Sequence, residues 1–171
     1  MKSGLRDVKM LLLDVDGVLT DGSIIYDDGN IETKVFNVKD GLGLRLLLDA
    51  GIEVGIITGR ASGALTNRCA NLGIRHLYDG VTDKTSALDD LVKKTGIKAE
   101  ETAFMGDDLP DLPVLKKVGL SIAVNDADET VKKHVDMVTS RNGGDGAVRE
   151  VCEGILKAKN LWNDIIDAYI A

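Results

Sequence analysis

The sequence predicts an α/β fold: a doubly wound (Rossmann-like) parallel sheet with a small β-hairpin insert after the first strand. Short apolar runs rich in branched residues alternate with longer segments of helical spacing, which is typical of a parallel sheet covered by helices on both faces. One segment with two β-type runs interrupts this alternation. The 171 residues are enough for a complete core, and we expect a single domain spanning residues 1–171.

Four apolar runs are predicted to be strands, and three segments between them are predicted to be helices. The predicted strands are KMLLLDV, IEVGIIT, TAFMGD and GLSIAV. The predicted helices are GLGLRLLLDAG, SGALTNRCANLG and DKTSALDDLVKKTG, which end near Gly51, Gly73 and Gly96. Parallel sheets bind ligands beyond the carboxyl ends of their strands, so polar residues at those ends are the functional candidates.

The hairpin insert is predicted at residues 22–36, GSIIYDDGNIETKVF, because Asp-Asp-Gly-Asn between two β-type runs is typical of a hairpin turn. An edge hairpin of the main sheet is the alternative interpretation. Five side chains are predicted to share one face: Ile24, Tyr26, Ile31, Thr33 and Val35. A two-stranded hairpin alone is marginal in water, so we expect another surface to cover that face.

The composition indicates a soluble, cytoplasmic protein that binds neither nucleic acid nor membranes. Twenty-one Lys and Arg residues against 28 Asp and Glu residues give a net charge of -7, which repels polyanions. No apolar stretch approaches the ~18 residues of a membrane helix, and Asp14 interrupts the N-terminal run too early for a signal peptide. Cys69 and Cys152 are far apart and are expected to stay reduced.

Two acids, Asp14 and Asp16, end the first apolar run, LLLDVDGVLT, and on an extended chain they face the same way. A solvated turn is one interpretation of this pattern, since Asp and Gly are common turn residues. A calcium loop of the EF-hand type is excluded, because its fifth and twelfth positions hold Val18 and Ile25. The remaining interpretation is a pair of carboxylates directed at one site.

Other predicted strands also end in polar groups. Thr58 and Gly59 follow IEVGII, Asp107 and Asp108 follow TAFMG, and Lys84 begins a predicted helix. Each of these alone is compatible with a helix cap, a turn or a solvated charge. Their shared position at strand ends, in this order, indicates a common site.

Crowded carboxylates at such a site require a cation. Two unit charges about 4 Å apart interact by ~4 kcal/mol at an effective dielectric of about 20, and a phosphate would add further repulsion. The available ligands are hard oxygen atoms, and no His or Cys cluster lies near them. This ligand set predicts Mg²⁺ as the cofactor, an ion that bridges carboxylates to phosphate.

The motifs resemble those of the haloacid-dehalogenase-like phosphohydrolases, over most of the chain and in the same order. The matching segments are DVDGVLT, ITGR, DKTSAL and GDDLPD. Further segments are similar to members that dephosphorylate an eight-carbon sugar acid in lipopolysaccharide synthesis, namely FNVKDGLGLRLL, IITGR, RCANLGIRHLY and GGDGAVREVC. The small hairpin insert agrees with this subgroup, whereas the stretch after Cys152 is not diagnostic.

The resemblance implies a phosphomonoester hydrolase that works through an aspartyl phosphate. Asp14 is implied as the nucleophile and Asp16 as the general acid and base. Thr58 is implied to hydrogen-bond the transferring phosphoryl group and Lys84 to balance its charge. The implied Mg²⁺ ligands are Asp14, the carbonyl of Asp16, Asp107 and Asp108.

Substrate binding and assembly are also implied by the resemblance. Arg60 is implied to hold the substrate carboxylate by paired hydrogen bonds, although it is also compatible with a simple position at a helix start. The other implied substrate-binding residues are Gly59, Asn37, Asp40, Arg68 and Arg149. A homotetramer is implied, in which four hairpins meet and the segment RNGGDGAVRE (residues 141–150) gives adjacent chains a flexible glycine loop. A simple turn before the last helix is the alternative for that segment.

Three alternative functions fit the sequence less well. A phosphatase for a nine-carbon sugar acid of the sialic acid type is the nearest alternative, and in the resembling family it carries Glu in place of Arg60. A phospho-accepting signalling domain has paired acids after its first strand and its acceptor Asp after a later one, which is not the pattern here. A catalytically silent binding module would not need the full set of motifs.

Overall fold

The buried apolar runs form a parallel sheet in the computed structural model, which describes residues 4–171. The strands are β1 (Met10–Leu13), β2 (Ile25–Tyr26), β3 (Glu32–Thr33), β4 (Glu53–Ile57), β5 (His76–Tyr78), β6 (Thr102–Gly106), β7 (Leu120–Ala123) and β8 (Met137–Val138). Six of them lie in the order β5-β4-β1-β6-β7-β8, and every neighbouring pair is parallel. The fully buried β1 lies at the centre, where a continuous apolar run is expected. The predicted doubly wound sheet is confirmed.

Helices cover the sheet on both faces. They are α1 (Val38–Asp49), α2 (Gly63–Leu72), α3 (Lys84–Thr95), α4 (Leu112–Leu115), α5 (Glu129–Lys132), α6 (Ala147–Ala158) and α7 (Trp162–Ile170). α1 packs against α2 and α6, whereas α3 packs against α4. Right-handed crossovers place these two groups on opposite faces, because the chain moves along the sheet in one direction after β1 and in the other after β5.

The predicted helices end at the expected glycines. Gly73 and Gly96 adopt left-handed backbone conformations at the ends of α2 and α3, and Gly51 does so just after α1. The shorter elements β5, β8, α4 and α5 were not predicted, because two to four residues are too few to show a period. None of the helices within residues 4–171 has the length and apolarity needed to span a membrane.

The predicted hairpin is present as a separate two-stranded sheet, not as an edge of the main sheet. Its face assignment, however, was wrong. Ile25 lies opposite Thr33 and Tyr26 lies opposite Glu32, so Tyr26 and Thr33 point to opposite faces. The turn sets this register: the N–H of Asp27 donates to the carbonyl of Ile31, and the Asp27 carboxylate accepts from the N–H of Ile31.

The hairpin therefore has two unlike faces. By the alternation of the strands, Ile25, Ile31, Thr33 and Val35 share one face, and all of them are exposed. Ile24, Tyr26, Glu32 and Lys34 share the other face, which carries the charged groups. This second face is the one that reaches the rest of the chain, through ion pairs of Lys34 and Glu32.

The glycine-rich segment before α6 is a packed turn, not the flexible loop that was predicted. The N–H of Gly144 donates to the carbonyl of Val18, and the N–H of Gly143 donates to the Asp126 carboxylate. A Cβ on Gly143 would lie 1.8 Å from the carbonyl oxygen of Gly17. Glycine is needed here because two backbones approach closely, so the segment supports the loop that follows β1.

We expect Gly143→Ala to lower the free energy of unfolding by roughly 2–3 kcal/mol, because the added methyl group meets backbone that cannot move aside. Gly63→Ala is the matched control: a Cβ at Gly63 meets no atom within 4 Å. That variant should stay within about 1 kcal/mol of the parent chain. Urea unfolding of both variants measures the difference. Equal stability of the two would contradict the packed turn.

Candidate active site

Three neighbouring strands, β4, β1 and β6, direct polar residues into one cleft at their carboxyl ends, as expected for a doubly wound sheet. The cleft has a volume of about 310 Å³. Eight of its lining residues were predicted: Asp14, Asp16, Thr58, Gly59, Arg60, Lys84, Asp107 and Asp108. Three were not: Gly22, Pro110 and Asp111.

The centre of the cleft is a group of three carboxylates, Asp14, Asp107 and Asp111, with oxygen atoms within 4.8 Å of one another. The ammonium of Lys84 lies 3.1 Å from Oδ1 of Asp14 and 2.6 Å from Oδ1 of Asp111. The Lys84 side chain is only 8% exposed. One buried cation thus faces three acids, and the group keeps an excess of negative charge.

Glycine at position 17 allows this crowding. Gly17 has a φ of 86°, and a Cβ there would lie 2.1 Å from Oδ2 of Asp107. The N–H of Asp14 donates to the carbonyl of Met105, which extends the pairing of β1 and β6 as far as the site. The loop after β1 can therefore pass directly over the acid at the end of β6.

Asp111 is a site residue that the sequence analysis missed. Its side chain is 1% exposed, and its Oδ2 accepts the backbone N–H of Asp107 at 3.0 Å. It thus fixes both the Asp107 loop and the Lys84 ammonium. The available sign was its place as the last acid of the GDDLPD motif, four residues after Asp107.

Burial and mutual repulsion change the proton affinities of these acids. Burial, followed by the nearby charge of Asp111, raises the pKa of Asp14. The same two causes, together with Asp14 and Asp108, raise the pKa of Asp107 to about 7. Burial opposes the charged form of Lys84, but the carboxylates of Asp14 and Asp111 outweigh it and raise the pKa of that amine. The acids therefore favour an added positive charge.

The donor set fits a hard divalent cation. Asp14 Oδ1 is buried and accepts no hydrogen bond, although the Lys84 ammonium lies near it. Carboxylate oxygens of Asp14, Asp107 and Asp111 are close enough to share one ion. Of the other predicted ligands, Asp108 lines the cleft outside this group, and its carboxylate accepts the N–H of Leu109. The metal role of the Asp16 carbonyl stays a prediction.

The side chain of Asp16 faces the hairpin. Its Oδ1 lies 2.5 Å from the ammonium of Lys34, and its Oδ2 lies 3.6 Å from Nε of Arg60. Arg60 also donates to the hydroxyl of Tyr26 and to Glu32, each at 2.9 Å. Tyr26, Glu32 and Lys34 were not predicted as site residues, because nothing in the hairpin sequence shows which face turns to the cleft.

Thr58 and Gly59 line the cleft on the β4 side. The N–H of Thr58 donates to the carbonyl of Tyr78, and its carbonyl accepts the N–H of Val81. These bonds continue the sheet beyond β4 and hold the Thr58 side chain, which is buried at the cleft wall. This placement suits a hydroxyl donor to an anionic group.

Four residues predicted to bind substrate do not line the cleft. Asn37 caps α1 by accepting the N–H of Lys39, and its amide donates to the carbonyl of Gly144. Arg68 donates to the carbonyl of Asn37 and stacks over Phe36. In this chain both side chains join structural elements.

The other two, Asp40 and Arg149, meet at the start of α6. Asp40 is 1% exposed, and its carboxylate accepts the backbone N–H of Arg149 at 2.8 Å. Asp40 thus satisfies an open donor of the helix N-terminus. The Arg149 side chain pairs with Glu153 and lies over Trp162. Any contact of these residues with substrate therefore stays a prediction.

We expect the metal-free chain to lose stability as pH rises through the titration of Asp107. The pKa of about 7 in the folded chain lies above the unfolded value near 4, so the folded state binds the extra proton in this window. The free energy of unfolding due to this group therefore falls between about pH 4 and pH 7.

Urea unfolding with a chelator, for the parent chain and Asp107→Asn, measures this effect. The variant should be more stable than the parent by roughly 1–3 kcal/mol at pH 8, with the difference vanishing near pH 4. Added Mg²⁺ should reverse the order at pH 8, because the parent alone keeps the full carboxylate set. A difference that does not vary with pH would contradict the raised pKa.

Comparison with known proteins agrees with this geometry. Residues 73–151 match the family model of haloacid dehalogenase-like hydrolases. The 3-deoxy-D-manno-octulosonate 8-phosphate phosphatase of Escherichia coli (strain K12) is 50% identical over 159 residues, which cover 93% of this chain and 85% of that protein. Sequence similarity thus extends through nearly the whole fold.

Solved structures of similar phosphatases superimpose closely on this chain. The 3-deoxy-D-manno-octulosonate 8-phosphate phosphatase of Moraxella catarrhalis, solved in complex with a magnesium ion, a phosphate ion and KDO, is 45% identical with a TM-score of 0.94, covering 96% of this chain and 95% of that chain. The cobalt-bound enzyme of Haemophilus influenzae is 46% identical with a TM-score of 0.89, covering 91% of each chain. The chain therefore belongs to the haloacid dehalogenase-like hydrolases and, within them, to the family of 3-deoxy-D-manno-octulosonate 8-phosphate phosphatases.

Proposed function

We propose that this chain hydrolyses 3-deoxy-D-manno-octulosonate 8-phosphate to the free sugar acid and phosphate, with Mg²⁺ as cofactor, in lipopolysaccharide biosynthesis. The observation that carries the proposal is the joint placement of Asp14, Lys84 and two further acids at the ends of β1 and β6. The 50% identity to the Escherichia coli phosphatase supports the choice of substrate. In this proposal, residues 1–171 form a single phosphatase domain.

The reaction follows from two carboxylates with different surroundings. An oxygen of Asp14 attacks phosphorus, the bond from phosphorus to the sugar oxygen breaks, and Asp16 gives its proton to the departing oxygen. Asp16 then takes a proton from a water molecule whose oxygen attacks the aspartyl phosphate. Phosphate leaves, and Asp14 is restored as a carboxylate.

Charge stabilisation is the task of the surrounding groups. The Lys84 ammonium, fixed by Asp111, offsets the negative charge of the phosphoryl oxygens, and Thr58 donates a hydrogen bond to one of them. Asp14, Asp107, Asp108 and the Asp16 carbonyl would hold Mg²⁺, which would supply Lewis-acid charge neutralisation. Asp111 is a further candidate ligand, because its oxygens lie within the same cluster.

Arg60 is the proposed ligand for the carboxylate of the sugar acid. Arg60 lines the cleft with a side chain that is 41% exposed, and its guanidinium already binds one carboxylate, that of Glu32. A guanidinium binds carboxylates with two parallel hydrogen bonds, which suits an acidic sugar. Four residues outside the cleft remain candidates for substrate binding only at the active site of a neighbouring subunit: Asn37, Asp40, Arg68 and Arg149.

A cytoplasmic homotetramer completes the proposal. The exposed apolar face of the hairpin, with Ile31 64% and Val35 67% exposed, supports burial against another copy. The two unpaired, buried cysteines, Cys69 and Cys152, suit a reducing compartment. Light scattering on a size-exclusion column gives the mass: we expect a tetramer, and a fully active monomer at nanomolar concentration would contradict the assembly.

We expect Asp14→Asn to abolish hydrolysis of the eight-carbon sugar acid phosphate, because an amide cannot serve as the nucleophile. Phosphate release, measured with and without a chelator, should require both Asp14 and Mg²⁺. The fold should be retained, since the amide matches the carboxylate in shape and relieves repulsion from Asp111. Turnover equal to the parent, in a preparation free of deamidation, would remove Asp14 from this role.

We expect Arg60→Ala to raise the KM for the sugar acid phosphate by about 10-fold or more, because a charge-assisted carboxylate contact contributes at least ~1.4 kcal/mol. Glucose 6-phosphate, which has no carboxylate, should be affected far less. Turnover of eight-carbon and nine-carbon sugar acid phosphates side by side decides between the two substrates. Preference for the nine-carbon ester would overturn the proposed substrate.

A further inference from the structure

The cleft-facing side of the hairpin closes a ring of alternating charges with two residues of the catalytic loops. Lys34 pairs with Asp16 and, at 2.7 Å, with Glu32. Glu32 pairs with Arg60 at 2.9 Å, and Arg60 Nε returns to Asp16 at 3.6 Å. When Asp16 is ionised, two cations and two carboxylates balance, so each group depends on its neighbours for compensation.

Lys34 is the buried member of this ring. Its side chain is only 2% exposed, whereas the Asp16 and Glu32 side chains are 20% and 18% exposed. Desolvating an ammonium costs several kcal/mol, and the ion pairs largely repay that cost without a large net gain in stability. The main effect of such a buried ion pair is therefore to fix the geometry of its members, here that of the Asp16 carboxylate.

The two oxygens of Asp16 are not equivalent. Oδ1 is held by the ammonium of Lys34, whereas Oδ2 is buried and accepts no hydrogen bond. Asp16 also lines the cleft, as Asp14 and Thr58 do. With Oδ1 fixed, rotation of the carboxyl group is restricted, and Oδ2, whose nearest cation is Arg60 Nε at 3.6 Å, keeps a defined direction.

We propose that Lys34 is a positioning residue for Asp16: the hairpin brings its ammonium to Oδ1 and so holds Oδ2 where a proton passes to the departing sugar oxygen. The inference rests on the proposed function for the role of Asp16. Lys34 itself does not touch the reacting atoms. Its loss should therefore affect the step in which the phosphorus–oxygen bond breaks, to the extent that this step needs a proton.

Leaving groups of different basicity separate positioning from phosphate binding. A sugar alkoxide needs the proton of Asp16, whereas p-nitrophenolate leaves as a stable anion. We expect Lys34→Met to lower kcat/KM for the sugar acid phosphate by about 10–100-fold, which is less than the ~10²–10⁴-fold of complete general acid catalysis because Asp16 is still present. For p-nitrophenyl phosphate the loss should stay within about threefold.

A double-mutant comparison tests whether Lys34 acts through Asp16. Asp16→Asn should show the same dependence on leaving group, and adding Lys34→Met to it should cause no further loss on the sugar ester. Lys34→Arg, which keeps the charge, should recover much of the activity. Lys39→Met is the matched control: Lys39 is an exposed lysine in the first turn of α1, and its removal should leave both esters unaffected.

Several outcomes would overturn the inference. Equal losses on both esters would make Lys34 a phosphate ligand, and multiplicative losses in the double variant would make it independent of Asp16. Unchanged activity of Lys34→Met would exclude any role. Circular dichroism and thermal unfolding of each variant confirm that the fold is retained, and Lys34→Gln, which also removes the charge, carries the test if Lys34→Met unfolds.

Failure of the proposed function looks different. If the parent chain does not hydrolyse the eight-carbon ester, the substrate assignment is wrong. The Lys34 comparison then proceeds with whichever alkyl phosphate the chain does hydrolyse, because the argument concerns the leaving oxygen and not the identity of the sugar.

Discussion

The repulsion among Asp14, Asp107 and Asp111 is the interaction on which the rest of the site depends. Three acids at the edge of a buried sheet are unfavourable by themselves, as the raised pKa values of Asp14 and Asp107 indicate. One ammonium, that of Lys84, compensates only part of their charge. A site left short of positive charge is poised to take a divalent cation together with the phosphate that the cation neutralises.

The main part of the fold and the centre of the site could be predicted from sequence, because both are local. The runs that form β1, β4 and β6 are apolar, and each is followed by a polar residue, as Leu13 is by Asp14. A topology of parallel strands then brings their ends together without any knowledge of side-chain contacts. Asp111 was not predicted as a site residue, because it orients Lys84 and Asp107 through contacts that form only in the folded chain.

Four residues that were predicted to bind the substrate have structural contacts that the sequence did not show. Asp40 and Asn37 are polar residues close to the first helix, yet their side chains cap helices and join backbone segments. A buried polar group that completes a helix terminus and one that meets a ligand have the same appearance in sequence. The register of the hairpin posed a similar problem, since Asp27 fixes it through contacts across the turn.

The hairpin is a single layer of two strands, and this limits the insertions and deletions that its strands can accept. A ribbon has no interior, so each strand position contributes to either the charged side or the apolar side, and alternation along the strand decides which. Insertion or deletion of one residue between the turn and Lys34 would turn the Lys34 ammonium outward and bring an apolar side chain towards Asp16. Changes in length are therefore tolerated in the turn, but between the turn and Phe36 they must come in pairs.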